Sequence, residues 1–199
     1  MAWAPDYVTS DDLKGDLRIT DNIDDVRVAR AVTAASRAVD RATHRQFGKL
    51  DAPAPLVYTA RATRAGWVIE IDDLTNSTGL TITNSDGATV ATWKLQPANA
   101  VVKGKAWTQI LVDPESANQP DSTVDGTTVT VDAWGWTDVP VTVQAATLLQ
   151  ANRFFKRPDA PFGVAGSPES GSELRLLSKV DPDVAVMLRD YVRDPVVFG

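Results

Sequence analysis

The hydrophobic period of this chain changes twice, and that pattern constrains the fold more than any other property. Apolar residues recur at helical steps over residues 1–52 and again over 138–193, whereas from Pro53 to Thr137 short Val- and Thr-rich runs alternate with turn residues. Neither helical part has enough apolar surface to fold by itself, so the two are expected to pack together around the interruption. The expected class is α+β: a helical bundle domain formed by 1–52 and 138–193, an inserted small antiparallel β domain at 53–137, barrel or sandwich, and a C-terminal tail at 194–199.

Local signals place the helices. Thr9 or Ser10 before Asp11 and Asp12 suits the N-cap and acidic first turn of a short helix through Arg18. Next comes a longer helix, with Asp21 as its expected cap, Asp24 and Asp25 in its first turn, and a stripe of Val28, Val32, Ala35, Val39 and Ala42. These small residues favour close approach of a second helix. Pro140 suits the first turn of a third helix, capped by Thr137 or Asp138 and running to about Lys156, with Pro158 as its stop. Its middle, Ala145, Ala146, Leu148, Leu149 and Ala151, is apolar on most sides, which predicts burial against several neighbours. Asp181-Pro182 opens a last helix with Val184, Leu188 and Tyr191 on one side.

In the middle region, strands are expected at 56–63, 67–71, 80–84, 88–95, 108–112 and 127–134, with Asn84-Ser85-Asp86-Gly87 as a hairpin loop. Trp67, Trp93, Trp107, Trp134 and Trp136 fall in or beside it. Clustered indoles form either a sugar-binding platform or a packed core, and core packing is favoured because an indole buries a large area with one polar handle.

Little in the chain suits catalysis. The absence of cysteine removes disulfides, thiol chemistry and cysteine-based metal sites, and His44 as the single histidine excludes a two-histidine zinc site. A triad would depend on His44 at a helix end, where a dipole-complementing role is the ordinary one. Asp72 and Asp73, like Asp121 and Asp125, read as strand-end or turn carboxylates. No phosphate-binding glycine loop occurs, so no catalytic residue, metal or cofactor is expected. Met1 to Ser10 show no secretory pattern, and Val139 to Asn152 is too short and polar for a membrane span, which predicts a soluble protein. A net charge of -6 argues against holding nucleic acid by phosphate neutralisation.

Two features point outward. Arg27, Arg30, Arg37 and Arg41 share one side of the second helix, either as a solvated face with pairs such as Asp24–Arg27 and Arg37–Asp40 or as a partner surface. The apolar end Val196-Val197-Phe198-Gly199 either folds back on its own subunit or fills a site on another chain. Between the last two helices, 158–172 is rich in Pro, Gly and Ser and is expected to be an exposed, mobile loop.

Ordered blocks along the chain carry a resemblance. Tyr7-Val8-Thr9-Ser10-Asp11-Asp12-Leu13-Lys14, Ile23-Asp24-Asp25 with Ala34-Ala35-Ser36-Arg37-Ala38-Val39-Asp40, and His44-Arg45-Gln46-Phe47 are similar to the opening of head-to-tail connector (adaptor) proteins of long-tailed bacteriophages. Trp93 to Ala100, Trp134 to Pro140, Arg157 to Gly166, and Asp181-Pro182 with Leu188 and Tyr191 resemble later blocks of that family. The resemblance implies a virion structural protein at the neck, made in the host cytoplasm, rather than an enzyme. It implies a homo-oligomeric ring, a dodecamer, below the portal protein, with genome DNA passing through the lumen without specific binding and a next neck, stopper or tail protein docked beneath. No membrane is involved. In that setting Asp194, Pro195, Val196, Val197, Phe198 and Gly199 are the expected portal-binding residues. Pro161, Phe162, Gly163, Val164 and Gly166, with Arg27, Arg30, Arg37 and Arg41, are the expected subunit or next-ring interface. Rival readings are another neck component, a stopper or tail terminator, or a tryptophan-rich carbohydrate-binding module.

Overall fold

The computed structural model describes residues 4–50, 52–157 and 181–193. Its class is α+β, and the chain divides into two compact units. One holds Gln46–Val139; the other joins Pro5–Arg45 to the described residues of Pro140–Gly199.

The second unit is helical. Helix α1 (Ser10–Leu17) starts where the sequence places it, because Thr9 and Asp12 form a reciprocal capping box: the Asp12 N–H donates to Thr9 Oγ1 at 3.1 Å, and the Thr9 N–H donates to Asp12 Oδ2 at 2.8 Å. Helix α2 (Asp25–Thr43) buries Val28, Val32, Ala35 and Val39, with Ala31 and Ala38 beside them. Asp21 does not cap it; its carboxylate accepts from the Ile23 N–H at 3.0 Å, and Asp24 holds the cap position without a side-chain bond. Helix α3 (Val141–Lys156) follows Pro140, which is the cap residue itself rather than part of the first turn. Helix α4 (Pro182–Leu188) is capped by Asp181, whose carboxylate accepts from the Asp183 N–H at 3.0 Å.

The interior of α3 departs from expectation. Ala145 is exposed and Leu149 is 39% exposed, while Thr147 and Gln150 are buried. Each buried polar group has a partner, as burial demands. Thr147 Oγ1 donates to the Val143 carbonyl at 2.8 Å, and Gln150 Oε1 accepts the Asp181 N–H at 3.3 Å. Gln150 therefore joins α3 to the cap of α4, and the Arg153–Asp181 ion pair at 3.7 Å supports the same joint. At the far end, Arg45 Nε donates to the Tyr191 carbonyl at 2.7 Å and the Arg193 N–H to the Thr43 carbonyl at 2.8 Å, which ties the last described residues to the end of α2.

The described residues of the other unit form nine strands: β1 (Lys49–Leu50), β2 (Ala54–Tyr58), β3 (Ala60–Thr63), β4 (Gly66–Leu74), β5 (Thr81–Thr83), β6 (Trp93–Gln96), β7 (Trp107–Val112), β8 (Thr127–Val131) and β9 (Trp134–Gly135). They form two open sheets, one ordered β1-β9-β4-β7-β6 with β3 also on β4, the other β2-β8-β5. A barrel is thus excluded, and pairing is not wholly antiparallel, since β4 and β9 meet in parallel at Leu74 and Gly135. Both sheets feed one core, in which Ile69, Ile71 and Ile110 lie with Ile82, Val129 and Val131 around a fully buried Trp134.

Two expected strands are divided. The run 56–63 breaks at Thr59, whose Oγ1 accepts the Asp125 N–H at 2.9 Å, and β2 and β3 then join different sheets. The run 88–95 makes only a bridge at Thr89 beside the Asn84–Gly87 loop before crossing over to pair as β6 with β7. Gly135 allows a close backbone approach: its φ is 91°, and a Cβ there would sit 2.2 Å from the Gly48 carbonyl oxygen.

Candidate interaction surfaces

His44 is exposed and serves as the left-handed C-cap of α2, with φ 52° and its N–H on the Asp40 carbonyl. Among the described residues no group of three or more His, Cys, Asp or Glu is arranged to hold a metal. Asp72 and Asp73 both lie on β4 and do not act together: exposed Asp72 accepts from the Tyr58 hydroxyl at 3.0 Å, and buried Asp73 accepts from Trp136 Nε1 at 2.9 Å. Asp121 is a turn carboxylate whose bonds from Ser85 and from the Thr123 side chain and N–H hold its pKa below the ordinary value.

Packing accounts for the tryptophans of the strand unit. Trp134 Nε1 donates to the Ala54 carbonyl at 2.8 Å, Trp136 packs tilted against Phe47 with ring centroids 5.1 Å apart, and Trp67 Nε1 donates to Gln119 at 3.0 Å. Trp93 and Trp107 are half-buried against the same core. A platform of bare indoles is not present among these five.

The four arginines of α2 divide into two pairs. Arg27 is held at home by Asp24 at 3.2 Å, by the Phe155 carbonyl at 3.3 Å and by the Phe155 ring 4.8 Å away. Arg37 donates to the Pro5 carbonyl at 2.6 Å, pairs with Asp40 at 3.1 Å and lies over the Tyr7 ring. Arg30 and Arg41, by contrast, are exposed. The two helix-internal pairs read from the sequence, Asp24–Arg27 and Arg37–Asp40, are both formed. Burial pushes the Asp40 carboxyl up from its ordinary pKa, against the opposing pull of the Tyr7 hydroxyl, Arg37 and Arg41.

A groove of about 830 Å³ in the helical unit was not anticipated. One wall is the segment Asp6–Thr9 with α1; the other is the start of α3, through Val141, Gln144, Ala145 and Leu148. Its rim carries the exposed carboxylates Asp6, Asp11, Asp12 and Asp16, and no basic residue lines it. Val141 in its wall is 79% exposed, a large apolar side chain left in water. Only the spacing of Asp12 and Asp16, one helical turn apart, hints at this rim in the sequence.

The remaining expected site residues, Pro161, Phe162, Gly163, Val164 and Gly166 in the loop and Asp194 to Gly199 in the tail, lie outside the described residues. Among the described residues no helix is long and apolar enough to cross a membrane.

No protein-family profile matches the chain, and neither does any curated protein. A chain of a solved structure described as "Virion of native gene transfer agent (GTA) particle" is similar in fold, with a TM-score of 0.50 and 18% sequence identity. The match covers 100% of this chain and 96% of that one, so the likeness includes both units and the connections between them.

Proposed function

We propose that this chain is a structural subunit of a phage-like virion, and more finely a head-to-tail connector that forms a ring below the portal, extends the DNA channel and docks the next neck or tail protein. The observation that carries the reading is the end-to-end likeness of fold to a chain of a gene transfer agent virion. The ordered sequence blocks point the same way, and the long helices α2 and α3 favour a connector over a stopper or tail terminator, which are richer in β structure. A non-enzymatic role fits side chains whose polar groups are spent on holding the fold.

In this reading the tail Asp194–Gly199 docks on the portal through Val196, Val197 and Phe198. The loop residues Pro161, Phe162, Gly163, Val164 and Gly166, with the α2 arginines, meet a neighbouring subunit or the next ring. Arg30 and Arg41 are the better placed of the four, since Arg27 and Arg37 are engaged within their own unit.

The test is genetic and structural. Deleting residues 194–199 is expected to abolish attachment of the protein to portal-bearing heads, read by sedimentation and electron microscopy of particle necks, while the circular dichroism of the purified chain is unchanged. Unaltered attachment would refute the tail assignment. Particles that assemble and infect normally without the protein, and never contain it, would refute the virion role.

A further inference from the structure

Two faces of the helical unit are complementary to each other in charge. The groove between α1 and α3 has an acidic rim and an apolar wall in which Val141 and Ala145, one turn apart, are both exposed. The outer face of α2 is its counterpart in charge and spacing. Val28, Val32, Ala35 and Val39 turn inward, so Val26, Arg30 and Ala34, at steps of four, turn out to solvent. Ile23, just before the helix, is 88% exposed and Val26 is 63% exposed. Large apolar side chains standing in water beside a basic residue on one face, and beside four carboxylates on another, are what two halves of one interface look like before they meet.

We infer that a second copy of this chain occupies the groove: the Ile23–Ala34 face of α2 in one subunit seats in the acidic groove of the next, Val26 against Val141 and Ala145, and Arg30 among Asp11, Asp12 and Asp16. The contact is heterologous, since the two faces differ, and repeated rotation about one axis closes such contacts into a ring. Val26 to Arg30 spans about 6 Å of helix, the same rise as Val141 to Ala145 and Asp12 to Asp16, so one turn of α2 meets one turn of each wall. Arg41 adds attraction at longer range, which salt weakens. This inference rests on the self-assembly part of the proposed function and assigns the faces that perform it.

Charge exchange tests it directly. One double variant, Arg30→Glu with Ala34→Glu, makes the α2 face acidic; another, Asp11→Lys with Asp16→Lys, makes the rim basic and leaves the capping pair Thr9–Asp12 in place. Native mass spectrometry at low salt, alone and on portal-bearing heads, is expected to show wild-type rings. Each variant alone should associate at least about 100-fold more weakly, because like charges then face each other. An equimolar mixture should recover rings of equal composition, since the acidic face of one variant fits the basic groove of the other and the converse pair is native in sign. Circular dichroism confirms that both variants are folded.

Wild-type rings with variants that assemble equally well alone would overturn the assignment of faces and leave the ring reading standing. Weak variants that the mixture fails to rescue would also overturn it. Variants that form normal rings, with only the basic-groove variant failing to bind heads, would give the groove to another protein. A wild-type chain that stays monomeric both in solution and on heads would sink the ring reading itself.

Discussion

The two units fill their cores with side chains of different size. In the strand unit the large side chains are inside: Trp134, Ile69, Ile71, Leu74 and Ile110 are within 1% of complete burial, and the indole of Trp134 finds a backbone carbonyl to satisfy its one donor. The core of the helical unit buries Leu13 and Leu188 among mostly Val and Ala, and with them the polar residues Ser36, Thr43, Thr147 and Gln150. Ile23, Val26 and Val141 of the same unit stand outside. Small interior residues let helices approach closely, but they bury little area per residue, and the apolar surface that would add to it is turned to solvent. The strand unit closes its core on larger side chains and leaves Val57, Val102 and Val124 exposed, whereas the helical unit leaves Ile23, Val26 and Val141 exposed on the faces that the inferred contact uses.

Trp134→Ala would put that contrast under the heaviest load. Removing a fully buried indole leaves a large void and orphans the Ala54 carbonyl, so a loss of about 3–5 kcal/mol is expected in the strand unit. Hydrogen exchange would locate it: amides of β8, β9 and β4 should lose protection while those of α2 and α3 keep theirs. Equal loss in both sets would mean a single cooperative structure, and the contrast would fail.

A milder break acts on the helical side. Gln150→Leu keeps the volume and adds apolar surface, yet leaves the Asp181 N–H without its acceptor in a half-buried joint. If polar bonding rather than bulk holds α4 in place, the variant should lose about 1–3 kcal/mol, with α4 amides exchanging first. A gain in stability would show that this interior welcomes larger apolar groups, as the strand core does.

What was legible in the sequence follows the same division. Local chemistry could be read: the Thr9–Asp12 box, the α2 stripe, both arginine pairs and Asp181-Pro182 act within a few residues of themselves. The side of α3 that would be buried could not, because a helix apolar nearly all round gives no preferred direction. Its true interior includes Thr147, which bonds back to the Val143 carbonyl of its own helix, and Gln150, whose partner Asp181 comes from another helix. Strand runs were visible, but their sheets were not, since Thr59 breaks its run on a bond from Asp125 far along the chain and β6 leaves the run at Thr89 to pair with β7. The acidic groove was hidden for the same reason, its walls coming from opposite ends of the sequence.

The smallest expected effect concerns two carboxylates of the helical unit that are shifted in opposite directions. Bonds from the Thr9 hydroxyl and then the Thr9 N–H hold the Asp12 pKa below 3.8. Its contribution to stability is therefore present above 3.8 and is lost as pH falls through the lowered value. Asp40 is raised above 3.8 by burial, so its contribution is full below 3.8 and is lost as pH rises through the raised value. Wild type minus Asp12→Asn should accordingly shrink on acidification, and wild type minus Asp40→Asn should grow in favour of wild type over the interval down to 3.8. Chemical denaturation of the three proteins across that range reads both slopes. Parallel slopes would mean that Asp40 is lowered as Asp12 is, and that Tyr7, Arg37 and Arg41 favour its charge more strongly than burial opposes it.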